Sequence, residues 1–293
     1  MKNKDNNTVH TGKEAIRERR KIKIKSITKN KLAVFGLVLT IFIVLIGIFA
    51  NVICPDGPYV MDVTKRYTAP CSQFIFGTDK MGRDVLSRIV YGIRISLIVG
   101  AVTTIVTFIL GMILGMIAGY FKKLDNIIMR ICEALMSIPP VLMAIALMSA
   151  FSPNIKSVVA SLCVVYTPQI ARVARGATIA VKEQTYIEAA RAQGATNFRI
   201  IMHHIAPNIL SPVIVQATYV FAIAIILEAS LSFLGAGIPA PSPSLGNILY
   251  EAKEGIFTAP WLTIFPGIAM VITVLGINIL GDGLRDVLDP KSN

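Results

Sequence analysis

Apolar residues in this chain gather into long uncharged runs instead of alternating with polar ones. Leu32 to Pro55 is a run of 24 residues without a charge, and Ile95 to Phe121 a run of 27. Ala134 to Ile155 adds 22, interrupted by Pro139 and Pro140. Ser157 to Ala171 adds only 15, bounded by Lys156 and Arg172. Asn208 to Leu234 is apolar except for Glu228, and Trp261 to Gly281 closes the series. A helix needs about 20 apolar residues to cross a bilayer. The pattern predicts six transmembrane helices, the fourth crossing only if Lys156 and Arg172 snorkel to the two interfaces. The first run exceeds the roughly 7–15-residue apolar stretch of a cleaved signal peptide and lacks a small-x-small cleavage site, so it is expected to remain as a span.

Composition agrees with an all-α polytopic membrane protein. Hydrophobic residues make up 54% of the chain, charged residues 16%, and mean hydropathy is +0.65. Soluble domains are about 25% charged. A disordered chain is not this apolar, and four Cys in 293 residues do not make a disulfide scaffold. The net charge of +12 then acquires a meaning. Eleven Lys and Arg precede Leu32, and with six spans 21 of the 29 fall on the side of the two termini. That asymmetry predicts cytoplasmic N and C termini. The fit is imperfect, because the outer loop from Asp56 to Arg94 carries six Lys/Arg against four Asp. The basic tail reads as a topology signal that attracts anionic lipid. No aromatic or RNA-binding motif accompanies it, so no nucleic-acid partner is expected. The chain divides into a basic tail (1–31), a first helix with outer loop (32–93), a transmembrane domain (94–283) and a short C-terminal end (284–293).

Catalytic chemistry is missing. No His-Glu-x-x-His, Gly-x-Ser-x-Gly or phosphate-binding Gly-x4-Gly-Lys-Ser/Thr motif occurs. The chain has no evident means of hydrolysing ATP, and no cofactor or metal is expected on it. His203 and His204 are neighbours that point about 100° apart on a helix, so they read as boundary residues. Cys54 and Cys71 share the outer loop. They can pair if that side is oxidising, or stay apart if Cys54 sits at the membrane edge. Glu133 and Glu228 are charges placed inside spans, where each either lines a path or bonds a neighbouring helix. Gly111, Gly115 and Gly119 lie on one helix face and predict close helix packing.

The stretch from Arg175 to Pro212 is the longest connection on the cytoplasmic side. Glu188 to Gln193 are good helix formers, and Gly194 supplies a stop. Thr196 can cap a second short helix through Phe198, Arg199 and Ile200. Pro207 and Pro212 mark the return to the membrane. Two short helices held at an angle outside the bilayer read as a docking surface.

Glu188-Ala189-Ala190-x3-Gly194, followed by Pro207, resembles the Glu-Ala-Ala loop of ATP-binding-cassette importer permeases. His204 and Ala206 depart from that family's Ile and Leu. Phe76-Gly77-Thr78-Asp79-Lys80-Met81-Gly82-Arg83-Asp84-Val85-Leu86-Ser87-Arg88 is similar to the outer-loop signature of the C-type permease subunit of oligopeptide and dipeptide importers. From its residues alone, Thr78 or Asp79 can cap a helix, Val85, Ile89 and Ile93 form an apolar stripe, and polar Arg83 and Asp84 suggest an interfacial segment. Glu228 to Gly235 and Gly281 to Pro290 resemble the same family. The resemblance implies the type I importer transmembrane fold, in a bacterial inner membrane. It also implies a second permease as heterodimer partner, two ATPase subunits that use ATP and Mg, and an extracytoplasmic substrate-binding protein. It further implies ATPase docking by Glu188, Ala189, Ala190, Gly194 and Pro207, and an outer signature of Gly77, Thr78, Asp79, Gly82, Arg83 and Asp84. A nickel-chelate or other small-solute importer is the alternative cargo reading. An ion-driven carrier would show inverted repeats, and none is evident.

Overall fold

The computed structural model describes residues 31–288. The basic tail falls outside them, as does the chain beyond residue 288. Among the described residues the regular structure is helical, with one isolated antiparallel bridge between Thr78 and Asp84. Among the described residues five helices are long and apolar enough to cross a membrane. They are α1 (Lys31–Ile48), α3 (Val85–Tyr120), α6 (Ile155–Lys182), α9 (Ala206–Phe233) and α11 (Trp261–Leu288). A short α2 (Ala50–Ile53) extends the first.

The third expected span is not one helix. The chain forms α4 (Lys122–Met136) and α5 (Pro140–Ala150), bent by 94° where they meet. Pro139 and Pro140 cause the break. Pro139 would clash with the preceding turn, and its own backbone is held extended by the proline that follows. Pro140 then occupies the first turn of α5, where a missing N–H costs nothing. Six spans result only if this bent pair counts as one.

Three boundaries also move. The second span begins at Val85, not Ile95, and runs 36 residues to Tyr120. At 1.5 Å per residue that is about 54 Å, against a hydrocarbon core of roughly 30 Å. The segment read as interfacial is therefore the first turns of α3, and the division drawn at residue 93 falls inside one continuous helix. Asp84 caps that helix by accepting from the Ser87 N–H at 2.9 Å, so neither Thr78 nor Asp79 does. Burial pushes the Asp84 carboxyl up, and the Ser87 and Leu86 amides pull it back. The weak fourth span becomes α6, 28 residues long and capped by Asn154. It is the most enclosed of the long helices. A helix shielded by its neighbours need not look apolar enough to face lipid.

Small residues set the helix contacts. Cβ atoms added at Gly111, Gly115 and Gly119 of α3 would lie within 2.5–2.7 Å of Ile170, Ala171, Ala174 and Thr178 of α6. The glycine face therefore does pack a helix, as its spacing predicts. On α1 the buried residues are Ala33, Gly36, Thr40, Ile43 and Gly47, a seam of three- and four-residue steps. It meets α11, where Ile279 sits against Gly36 and Ala33 against Gly283.

At the end of the bundle away from the Glu188 loop, three buried charges, Asp79, Arg83 and Arg88, meet a half-buried fourth, Glu251. Asp79 accepts from Arg83 Nε at 2.6 Å and Arg88 Nη1 at 2.8 Å. Glu251, on α10 (Leu245–Ala252), accepts from Arg88 Nη1 at 2.7 Å, from Arg88 Nη2 at 3.1 Å and from Arg83 Nη2. The side chains of Arg83 and Arg88 are 4% and 2% exposed. Two arginines leave water here because two carboxylates meet them. The result ties the 77–88 segment to α10, across more than 160 residues of sequence.

Two outcomes follow from this packing. Gly115→Val should separate α3 from α6 and cost about 1–3 kcal/mol or more by overpacking. Gly267→Ala, with open space around its Cβ, should leave stability near wild type. Thermal unfolding of the detergent-purified chain measures both. Glu251→Ala leaves the arginines short of a counter-charge and should cost about 3–5 kcal/mol. Glu254→Ala breaks only the exposed pair with Lys80 and should change stability by less than about 1 kcal/mol.

Candidate coupling site

The Glu188 loop folds from its own local signals. α7 (Thr185–Ala192) ends at Gly194, whose φ of +83° is the left-handed backbone that glycine adopts freely. The Gly194 N–H reaches the Arg191 carbonyl and the Ala195 N–H the Ala190 carbonyl. Thr196 caps α8 (Asn197–Arg199) by accepting from the Arg199 N–H at 3.3 Å. The expected pair of short helices with glycine between them is present.

The second helix does not remain separate. It passes through a π-helical segment, Ile200–Ile205, directly into α9. Pro207 lies in the first turn of α9 and Pro212 within it, so the return to the membrane is marked by the π turn and not by the prolines alone. The physical reason is local. Pro207 has no N–H to continue an α ladder and crowds the carbonyl four residues back. A wider turn accommodates it. His203 and His204 sit in that turn, and the His204 carbonyl accepts from Asn208 Nδ2 at 2.5 Å.

The loop is anchored on Tyr120, the last residue of α3. Tyr120 donates its hydroxyl hydrogen to Asn197 Oδ1 at 2.7 Å. Arg191 Nη2 approaches the same hydroxyl at 3.5 Å. Lys182, the last residue of α6, donates to the Tyr120 carbonyl at 2.6 Å and lies over its ring at 5.3 Å. An ammonium on the carbonyls of a helix end is favourable. Beneath the loop Ile187, Ile200 and Ile205 are fully buried. Three fully buried isoleucines contribute about 1.5–3 kcal/mol each. Sequence reading missed Tyr120, because its link to Asn197 crosses 77 positions.

The outward face is what remains. Glu188, Ala189, Gly194 and Pro207 are exposed, and Ala190 is half-buried. Glu188 has no ion pair among the described residues. Phe198 is 73% exposed, with Tyr186 and Met202 also open. This is a patch of mixed charge and apolar carbon, with Arg191 and Arg199 exposed beside Glu188.

The outer signature lies at the other end and is folded inward. Thr78 is buried, its hydroxyl donating to the Lys65 carbonyl at 2.5 Å and accepting from the Thr68 N–H at 2.8 Å. Gly77 and Gly82 take φ of +74° and +73°. An added Cβ at Gly82 would strike the Asp62 carbonyl. Arg83 is buried against Asp79 and Glu251, contrary to the interfacial reading. Glu251 carried no sequence signal. Glu133 is exposed on α4, the amphipathic half of the bent pair. Glu228 is fully buried, accepting from Ser96 Oγ at 3.1 Å and Ser232 Oγ at 2.8 Å. It joins α9 to α3 inside the chain's own packing. Cys54 is buried, Cys71 is exposed, and both are free.

Comparison with known proteins places this architecture. Residues 108–293 match the model of the binding-protein-dependent transport system inner membrane component. Residues 24–70 match the N-terminal transmembrane domain of oligopeptide transport permease C. A putative peptide transport system permease protein of Brucella suis is 42% identical over 87% of this chain and 86% of its own. The dipeptide transport system permease protein DppC of Alkalihalophilus pseudofirmus is 42% identical, over 91% and 88%. The glutathione transport system permease protein GsiD of Escherichia coli is 39% identical, over 90% and 88%. An inward-facing structure of the MetNI methionine ABC transporter superposes with a TM-score of 0.59 at 22% identity, over 70% of this chain and 97% of that one. That last likeness concerns the fold. The chain belongs to the family of binding-protein-dependent transport system inner membrane components.

Proposed function

We propose that this chain is one permease subunit of an ATP-driven importer of di- and oligopeptides. The observation that carries the reading is the exposed α7 helix, braced on the ends of α3 and α6 and joined by the tight Gly194 turn to α8, which runs through the π turn into α9. A push on Glu188 has a stiff route into three spans. Rigid elements with two arrangements, biased by a partner, are how such a switch works. The peptide, dipeptide and glutathione transport relatives support the substrate class. Cargo selection then belongs largely to an extracytoplasmic binding protein.

The assembly contains a second permease as heterodimer partner and two ATPase subunits docked on Glu188, Ala189, Ala190, Gly194 and Pro207. ATP and Mg are used by those subunits, and no bond is made or broken in this chain. It resides in a bacterial cell membrane with both termini in the cytoplasm. The α7 end then faces inward and the Asp79–Arg83–Arg88–Glu251 cluster outward.

Uptake of dipeptides, longer peptides, glutathione and nickel chelates by the reconstituted complex tests the cargo class. Nickel uptake without peptide uptake overturns it. Coupling is tested at Gly194. Valine is strained at a φ of +83°, at a cost of about 1–3 kcal/mol, although nothing lies within 4 Å of its Cβ. Gly194→Val should insert normally, recruit less ATPase on co-purification and transport less. Gly194→Asn, which tolerates the left-handed region, should stay near wild type. Orientation is tested at exposed Cys71. A membrane-impermeant thiol reagent should label it on intact cells, while buried Cys54, Cys132 and Cys163 stay unlabelled. Labelling only after permeabilisation reverses the topology.

A further inference from the structure

Near the loop end, α4 and α6 enclose a cleft of about 660 Å³. Five charged side chains line it. Asp125 and Arg175 are spent on each other, with Nε–Oδ1 at 2.5 Å and Nη2–Oδ2 at 2.7 Å. Arg130 and Arg172 remain, exposed and without an ion pair among the described residues, against Glu133. The mouth of the cleft is therefore net positive.

Ile131 and Cys132 also line a second, adjacent hollow of about 310 Å³ between α3, α4 and α6. Leu110, Leu114, Leu135, Val164 and Pro168 give it an almost wholly apolar wall. Its only hydroxyl, on Thr167, donates to the Cys163 carbonyl at 2.7 Å and is not offered to a ligand. The neighbouring open face of α3 shows Ile105, Ile109 and Ile113, which is a surface for hydrocarbon. A water-filled path for a peptide would present polar groups along its length, and this hollow presents none.

Two free guanidiniums at one end of an apolar slot within a membrane-spanning bundle match one chemistry. Guanidinium binds a phosphodiester by charge-assisted hydrogen bonds, and basic pockets between spanning helices hold lipid head groups. We propose that this composite groove binds an anionic glycerophospholipid, its phosphate on Arg130 and Arg172 and an acyl chain in the hollow over α6. The site lies where α4 meets α6, the helix that ends at the coupling loop. The proposal does not depend on which solute is carried.

The test uses the full chain in nanodiscs containing a phosphatidylglycerol probe with a photoactivatable acyl terminus, and mass spectrometry to locate the adducts. Wild type should be labelled on the walls of the hollow. Arg130→Ala with Arg172→Ala should weaken probe binding about thirtyfold, the combined effect of two cations near a head group. The matching Lys pair should retain most of the labelling, which separates loss of charge from loss of fold. Val164→Trp, with the mouth intact, should block the hollow and abolish labelling there. Equal labelling by a phosphatidylcholine probe, or labelling unchanged in the double Ala variant, would overturn the proposal in favour of ordinary boundary lipid. Displacement of the probe by a transported peptide would overturn it in favour of a transport site.

Discussion

The close approach of α3 and α6 is the contact on which the rest of the molecule depends. It exists because Gly111, Gly115 and Gly119 give α3 a side without side chains, and Ile170, Ala171, Ala174 and Thr178 fill that side. Lipid offers apolar surface as good as any leucine, so helices in a bilayer are held by fit and dispersion more than by escape from water. Once the two are locked, their ends are locked too. Lys182 at the end of α6 reaches the Gly119 and Tyr120 carbonyls at the end of α3. The platform for the Glu188 loop is the by-product of a glycine seam.

On that platform the loop acquires stiffness that a connection rarely has. Connections are generally the mobile part of a structure. Here Ile187, Ile200 and Ile205 are sunk in the main core, and Tyr120 bridges to Asn197. The π turn removes the hinge that two separate helices would have left, since α8 now runs into α9 without a gap. Movement applied at Glu188 has little slack in which to dissipate. An outward face of unpaired acid and open aromatic carbon is what a partner can use.

The opposite end solves a different problem. Exposed Lys and Arg help to orient a membrane protein by the side on which they gather. Arg83 and Arg88 are not available to the lipid surface, however, because Asp79 and Glu251 hold them in a buried cluster. The excess of cations that made the outer loop look anomalous is partly internal. Such a cluster is costly to bury and more costly to break. It gives the loop and α10 one defined arrangement over the mouth of the bundle.

Much of this was legible in the residues. Apolar run length located the long spans, because the thickness of the bilayer is a linear constraint that a linear sequence can meet. Gly194 with Thr196 marked the stop and the cap, and the glycine face announced a packed helix, since these signals act over a few residues. The heterodimer and the docking partners came from resemblance and the orientation from local charge. Other features came from tertiary structure alone. Ser157 to Ala171 looked too short because its burial by neighbours, which excuses its polar flanks, is invisible along the chain. Pro139 and Pro140 signalled a break, but the 94° turn depends on where α6 and α9 leave room for α5. For Glu228 the residues left both a path and a helix contact open, and only the fold brings Ser96 and Ser232, from two helices, to its carboxylate. Glu251 had no motif at all. On a helix such as α1, apolar on every side, only Ala33, Gly36 and Gly47 hint at the packed face. Hydrophobicity in a membrane chain says that a helix is inserted, and contact between helices decides which way it faces.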